Sequence, residues 1–345
     1  MPLATIDSEG TEIFYRDTGA VQGSSDYTTL VIYHGSAFTG HNFDRLFPYG
    51  GRDNVRVVII NRRDYPPSSL YSEAELEDMN QGRKVALEVI SRDTANFLLW
   101  FATTQKIPRI STDRRAGGFA LMGWSLGSAT PVALFGHPQS VPKETFTQLE
   151  AYVRQLILFD PAYATFGYES PPGYTPFTDT ELDPPDIFQH FPEWVSGYYT
   201  HPGLPSRDVS QLDFSRRGSC PSVATMTAVE FAKACYPPAG RSEFPMFYSM
   251  QPELAKQGER ALFDEETVST VLPGTEVVWQ YCERTNWPCI FAFIETERRW
   301  KECIAQGKRI RKIQFQEIKD VNHFVQWDHP ARYWAATCQA IHCNL

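Results

Sequence analysis

Gly123-Trp124-Ser125-Leu126-Gly127 places a serine between two glycines, where the apolar run 118–122 gives way to the small-residue stretch 128–135. A serine on a sharp strand-to-helix turn must take up a strained backbone, and flanking glycines let the chain double back without a Cβ collision. Such a turn presents the Ser125 hydroxyl to a substrate. It also sets the Leu126 amide at a helix N-terminus, where an unpaired N–H and the helix dipole stabilise a developing oxyanion. The chemistry is attack on a carbonyl. A neutral hydroxyl is a poor nucleophile, so it requires a histidine to take its proton and a carboxylate to fix that histidine's tautomer. The chain holds eight histidines. His323, in Val321-Asn322-His323-Phe324, and His329, in Asp328-His329-Pro330, stand beyond the last apolar segment.

Positioning such groups demands a rigid scaffold, and short apolar segments alternate with helical ones in the manner of a mostly parallel sheet covered on both faces. Strands are expected over 12–16, 29–33, 55–61, 118–122, 153–159, 288–294 and 313–318. Apolar residues at helical spacing predict a helix over 82–104, and Pro330 suits the first turn of a closing helix. From 163 to 275 the alternation stops and proline and aromatic residues accumulate. This segment reads as a largely helical cap inserted over the sheet's C-terminal edge, between a first core part, 1–162, and a second, 276–345.

With 345 residues, 42% of them hydrophobic, the chain can bury a large core. Its net charge of −9, with no basic stripe, argues against nucleic acid and anionic membranes as partners and for a small-molecule substrate. Residues 1–19 lack a signal-peptide apolar core and no run has the length of a membrane span, so a cytoplasmic location is expected. Seven cysteines without paired spacing read as free thiols. No metal-ligand spacing, phosphate loop or dinucleotide fingerprint is present, so neither metal nor cofactor is expected.

His34-Gly35-Ser36 after a buried strand, the Ser125 turn, and the 321–324 and 328–330 motifs ahead of a final helix occur in an order that resembles the α/β-hydrolases. The likeness runs from Ile6 to Ile341. It is closest to the cap-bearing branch that includes proline iminopeptidases, esterases, lactonases and epoxide hydrolases. The resemblance implies a mostly parallel central sheet flanked by helices with an inserted cap. It also implies His323 as the base, His329 as a solvent-facing or capping residue, and His34 as a brace of the oxyanion loop. The amide of Ser36, or of Ala37, becomes the second oxyanion donor beside Leu126, with Gly35 permitting close approach.

The acid departs from the family pattern. Its usual position, an Asp in a turn after the seventh strand, falls on Glu297 in Ile294-Glu295-Thr296-Glu297. Asp160, at the end of the sixth strand, is an equal candidate, and Glu295 follows both. Serine at the nucleophile position disfavours dehalogenase and epoxide hydrolase chemistry, which uses aspartate. The activity implied is a serine hydrolase cleaving an ester, lactone, thioester or amide through an acyl-enzyme. Alternatives are an iminopeptidase-like enzyme receiving an ammonium on Glu181, Asp183 or Asp186, an acyltransferase, a carbon–carbon bond hydrolase, and a non-catalytic ligand receptor. Gly35, Ala37, Trp124, Trp194 and Tyr198 are expected at the substrate. The further cap aromatics Phe188, Phe191, Tyr199, Phe231 and Phe247 suit an apolar or aromatic group.

Overall fold

Residues 2–342 are described by a computed structural model. An eight-stranded sheet is built from β1 (Leu3–Thr5), β2 (Glu12–Asp17), β3 (Thr28–Tyr33), β4 (Val55–Ile60), β5 (Phe119–Trp124), β6 (Val153–Phe159), β7 (Glu276–Cys282) and β8 (Ile313–Ile318). The spatial order is β1-β2-β4-β3-β5-β6-β7-β8. β1 and β2 run antiparallel to their neighbours, and the strands from β3 onward pair in parallel. Every residue of β3, β4, β5 and β6 is buried, the polar Thr28, Thr29, Arg56, Arg154 and Gln155 included, which explains why these strands read as largely apolar runs rather than as alternating ones.

Helix Lys84–Thr104 lies against this sheet and packs Phe97 and Phe101 around Tyr15 of β2. The closing helix Pro330–His342 starts at the proline and sets Tyr333 against Phe159 at the end of β6, with ring centroids 4.3 Å apart.

One element is misread by its sequence pattern. Residues 288–294 are not a strand; they open the helix Trp287–Ala305, whose start combines Asn286 as N-cap with a proline in the first turn. A short apolar run has the same appearance in a fully buried helix and in a buried strand. The true strand is β7, immediately upstream, where valine, tryptophan and tyrosine cluster.

Between β6 and β7 the described residues form helices and turns, including Pro184–Val195, Ala228–Ala234, Gly240–Phe247 and Gln251–Leu262. This insertion is fastened to the ends of the parallel strands. Tyr236 N–H donates to Ala37 O (2.7 Å) beyond β3, and Asn322 Nδ2 donates to Ser196 O (2.5 Å) from beyond β8. Six cysteines are free thiols, and Cys343 lies outside the described residues. Among the described residues no helix is long and apolar enough to cross a membrane.

Candidate active site

β5 ends in the sharp turn that its glycines permit. Ser125 has φ +55°, a left-handed value costing an L-residue about 1–3 kcal/mol. Packing enforces it. A Cβ on Gly123 would lie 2.3 Å from Ser128 Cα, and one on Gly127 would lie 2.0 Å from His34 O. The two glycines therefore let the turn close on itself and press against the loop after β3. A Cβ on Gly35 would stand 3.0 Å from Ser125 Cβ, so that loop runs directly beside the serine.

The loop 34–37 is held by hydrogen bonds. His34 is fully buried, and that burial, reinforced by Arg62, keeps its pKa well below the usual histidine value. Its Nε2 accepts from the Arg62 N–H (3.0 Å), and its Nδ1 donates to Gly35 O (3.0 Å), the neutral Nδ1–H tautomer. His34 therefore braces the loop. Ala37 has φ +63° and donates its N–H to Tyr65 Oη (2.9 Å), which removes that amide as an oxyanion donor.

His323 follows β8 and is buried. Its Nδ1 donates to Asp160 Oδ2 at 2.6 Å, and Asp160 Oδ1 accepts the Cys282 N–H at 3.0 Å. Asp160 sits immediately past β6 with φ +47°, a turn that directs it toward the end of β7. The carbonyl of His323 accepts from Trp124 Nε1 (3.1 Å), and the two rings lie 5.0 Å apart. The residue before the serine thus also fixes the histidine. Thr285 Oγ1 (3.5 Å) and Cys289 Sγ (3.8 Å) complete the surroundings of Nδ1.

Glu297 is elsewhere. It lies on the helix Trp287–Ala305, where Arg207 Nε (2.9 Å) and Lys301 Nζ (3.1 Å) hold its carboxylate, and Glu295 on the same helix pairs with Arg298 and Arg299. The geometry therefore assigns the carboxylate beside His323 to Asp160 and sets Glu297 and Glu295 aside. Misreading the helix as a strand had placed both glutamates at a turn. His329 is exposed.

A cavity of about 130 Å³ opens at Ser125. Its wall includes Tyr163, Phe177, Phe191, Trp194 and Phe247, with Cys289 and Asn286 on the histidine side. Trp194 thus lines this cavity. Tyr198 does not; its hydroxyl donates to Asp328 Oδ2 (2.9 Å), away from the cavity wall. Trp124 is wholly buried and supports His323 instead of lining the cavity. Tyr199 donates to Trp194 O (2.8 Å) and Phe188 packs on Phe244, both behind the wall, and Phe231 does not line it. Glu181, Asp183 and Asp186 are also away from it, Glu181 being paired with Arg216. That leaves no carboxylate among them to receive a substrate ammonium at Ser125.

Thr285, Asn286 and Cys289 escaped sequence reading, because residues of a loop and a helix start just past β7 carry no spacing signal of their own. Among the described residues, the ligand atoms of Asp160, Cys289 and His323 lie within 4.8 Å of one another. Burial and the charge of Asp160 raise the Cys289 pKa well above the usual thiol value, so the sulfur is a protonated thiol.

The sequence profile of the alpha/beta hydrolase family matches residues 30–336. The chain belongs to that family. No curated protein sequence matches this hydrolase significantly. Among solved structures it is similar to an esterase from Exiguobacterium antarcticum, with 14% identity, TM-score 0.56, and 99% of this chain and 100% of that one covered. It is equally similar to epoxide hydrolase A from Mycobacterium thermoresistibile, with 13% identity, TM-score 0.56, and coverage of 98% and 97%. A bromoperoxidase from Bacillus anthracis aligns over 99% of both chains at 13% identity and TM-score 0.51. At these identities the likeness is one of fold.

Proposed function

We propose that this alpha/beta hydrolase is a serine hydrolase that cleaves a carboxylic ester of a small apolar or aromatic group through an acyl-enzyme. The observation that carries the reading is the buried 2.6 Å contact between His323 Nδ1 and Asp160 Oδ2, beside a left-handed Ser125 that opens on an apolar cavity. With Nδ1–H committed to Asp160, Nε2 is the basic nitrogen. It takes the Ser125 proton as Oγ attacks the substrate carbonyl, then returns it to the leaving alcohol. The amides of Leu126 and Ser36 receive the negative charge that develops on the carbonyl oxygen. A water deprotonated by His323 then hydrolyses the acyl-enzyme and frees Ser125.

The ring-lined cavity supports the substrate class, since apolar cavities of about 150 Å³ hold a benzene-sized group. Turnover of p-nitrophenyl acetate and benzoate by wild type and Ser125→Ala tests the reading. The variant should lose about four or more orders of magnitude in kcat, because nucleophile and base act as one unit. A Ser125→Ala protein that keeps full turnover overturns the assignment.

A further inference from the structure

The bonds that hold the 34–37 loop converge on a carboxylate outside both the loop and the Ser125, His323 and Asp160 group. Glu243 lies in the insertion helix Gly240–Phe247 and is buried, with 1% of its surface exposed. It accepts from Ser36 Oγ (2.5 Å) and Tyr65 Oη (2.7 Å), and it forms an ion pair with Arg62. Each of those partners touches the loop. Arg62 donates through Nε to His34 O (2.9 Å), through Nη2 to Gly35 O (3.2 Å) and through its backbone N–H to His34 Nε2. Tyr65 Oη accepts the Ala37 N–H. Every residue from His34 to Ala37 is therefore tied to Arg62, Tyr65 or Glu243.

The charges match this arrangement. A carboxylate only accepts hydrogen bonds, and three donors reach Glu243 from three directions. Burial works against the Arg62 charge, yet Glu243 and the neighbouring tyrosine hydroxyls outweigh it and leave the arginine pKa above its ordinary value. Burial, reinforced by Glu243, holds the Tyr65 pKa well above the usual phenol value, so its hydroxyl stays a donor. A buried ion pair is a poor source of net stability compared with apolar packing, whereas its directionality fixes geometry.

We propose that Glu243 is a positioning residue through which the insertion sets the oxyanion hole. Holding Gly35 O through Arg62 and the Ser36 side chain through Glu243 fixes the Gly35–Ser36 peptide, so that its Ser36 N–H points at the carbonyl oxygen in the transition state. The proposal rests on the serine hydrolase reading. It adds that seating the insertion, and not only closing the cavity, determines the rate of acyl transfer.

The test compares wild type, Glu243→Gln and Ser36→Ala as purified full-length proteins. The readouts are kcat and KM on p-nitrophenyl acetate, affinity for a trifluoromethyl ketone transition-state analogue, and competitive inhibition by acetate. Loss of one oxyanion contact costs about 10²–10³ in rate when the donor is removed, so a misaimed donor should lower kcat by about 10- to 100-fold. KM and acetate inhibition should stay within about threefold, and ketone affinity should fall by the same factor as kcat/KM. A merely structural role would not produce that proportionality. Ser36→Ala leaves the Arg62–Glu243 pair intact, so it carries the test if Glu243→Gln fails to fold. Wild-type kcat in Ser36→Ala, or lost activity with unchanged ketone affinity, overturns the proposal while leaving Ser125 as nucleophile. A wild type inert to both ester and ketone removes the underlying reading instead, and the proposal with it.

Discussion

Asp160→Asn replaces one oxygen of the carboxylate by an NH2 group, and the two contacts of Asp160 determine which. Oδ1 accepts the buried Cys282 N–H at 3.0 Å, so the amide oxygen must remain on that side. The NH2 then faces His323 Nδ1, which stood 2.6 Å from Oδ2, and Nδ1 has to become the acceptor. That moves the imidazole proton to Nε2, the nitrogen required to receive the Ser125 proton. Loss of the correct tautomer costs about 10⁴ in kcat, or about 5.4 kcal/mol in the barrier. Asparagine accepts left-handed backbone well, so φ +47° at this position adds no new strain. Steady-state hydrolysis of p-nitrophenyl acetate by Asp160→Asn and Glu297→Gln gives the comparison. Glu297→Gln removes partly exposed ion pairs worth about 0–1 kcal/mol and should keep kcat within about twofold. Asp160→Asn activity within tenfold of wild type, or collapse of Glu297→Gln in a folded protein, would refute the assignment of the acid.

Further outcomes follow from the same contacts. Gly127→Ala sets a methyl 2.0 Å from His34 O, so the turn and the oxyanion loop must part; a lowered melting temperature and at least about a hundredfold loss of kcat are expected from calorimetry and ester assays. Trp194→Ala enlarges the cavity of about 130 Å³. Since each buried methylene is worth about 0.8 kcal/mol, the kcat/KM ratio of p-nitrophenyl hexanoate to acetate should rise at least about tenfold. Burial holds His34 well below the usual histidine pKa and His137 at about 4, so both stay neutral in the folded protein while the unfolded chain protonates below about pH 6.5. Their contribution is therefore complete above pH 6.5 and is lost as pH falls toward the folded values. Between pH 7 and 5 the His137 share of that loss is about 2 kcal/mol, and urea unfolding of His137→Leu should show a correspondingly shallower fall in stability over that range.

The core was legible because parallel strands buried on both faces leave apolar runs, as at Phe119–Trp124 and in the 156–159 half of β6. The sharp turn at Ser125 was legible because it needs glycine at fixed positions, and the place of His323 because it follows the last strand. The carboxylate was not, because Asp160 and Glu297 differ in the kind of element they occupy, and an apolar run at 288–294 has the same pattern in helix and strand. Nor was Glu243: it stands 207 residues from Ser36 in the chain, and only the folded insertion brings the two together. Tyr198 failed for a related reason, since an aromatic residue in a cap has no sequence mark for the side it faces.

The central claim, an activated Ser125, is tested most directly by exposing wild type and Ser125→Ala to a fluorophosphonate and measuring intact mass. One adduct on wild type and none on the variant is the expected result. A folded wild type that stays unlabelled, or a Ser125→Ala protein that takes up the adduct equally, would contradict it.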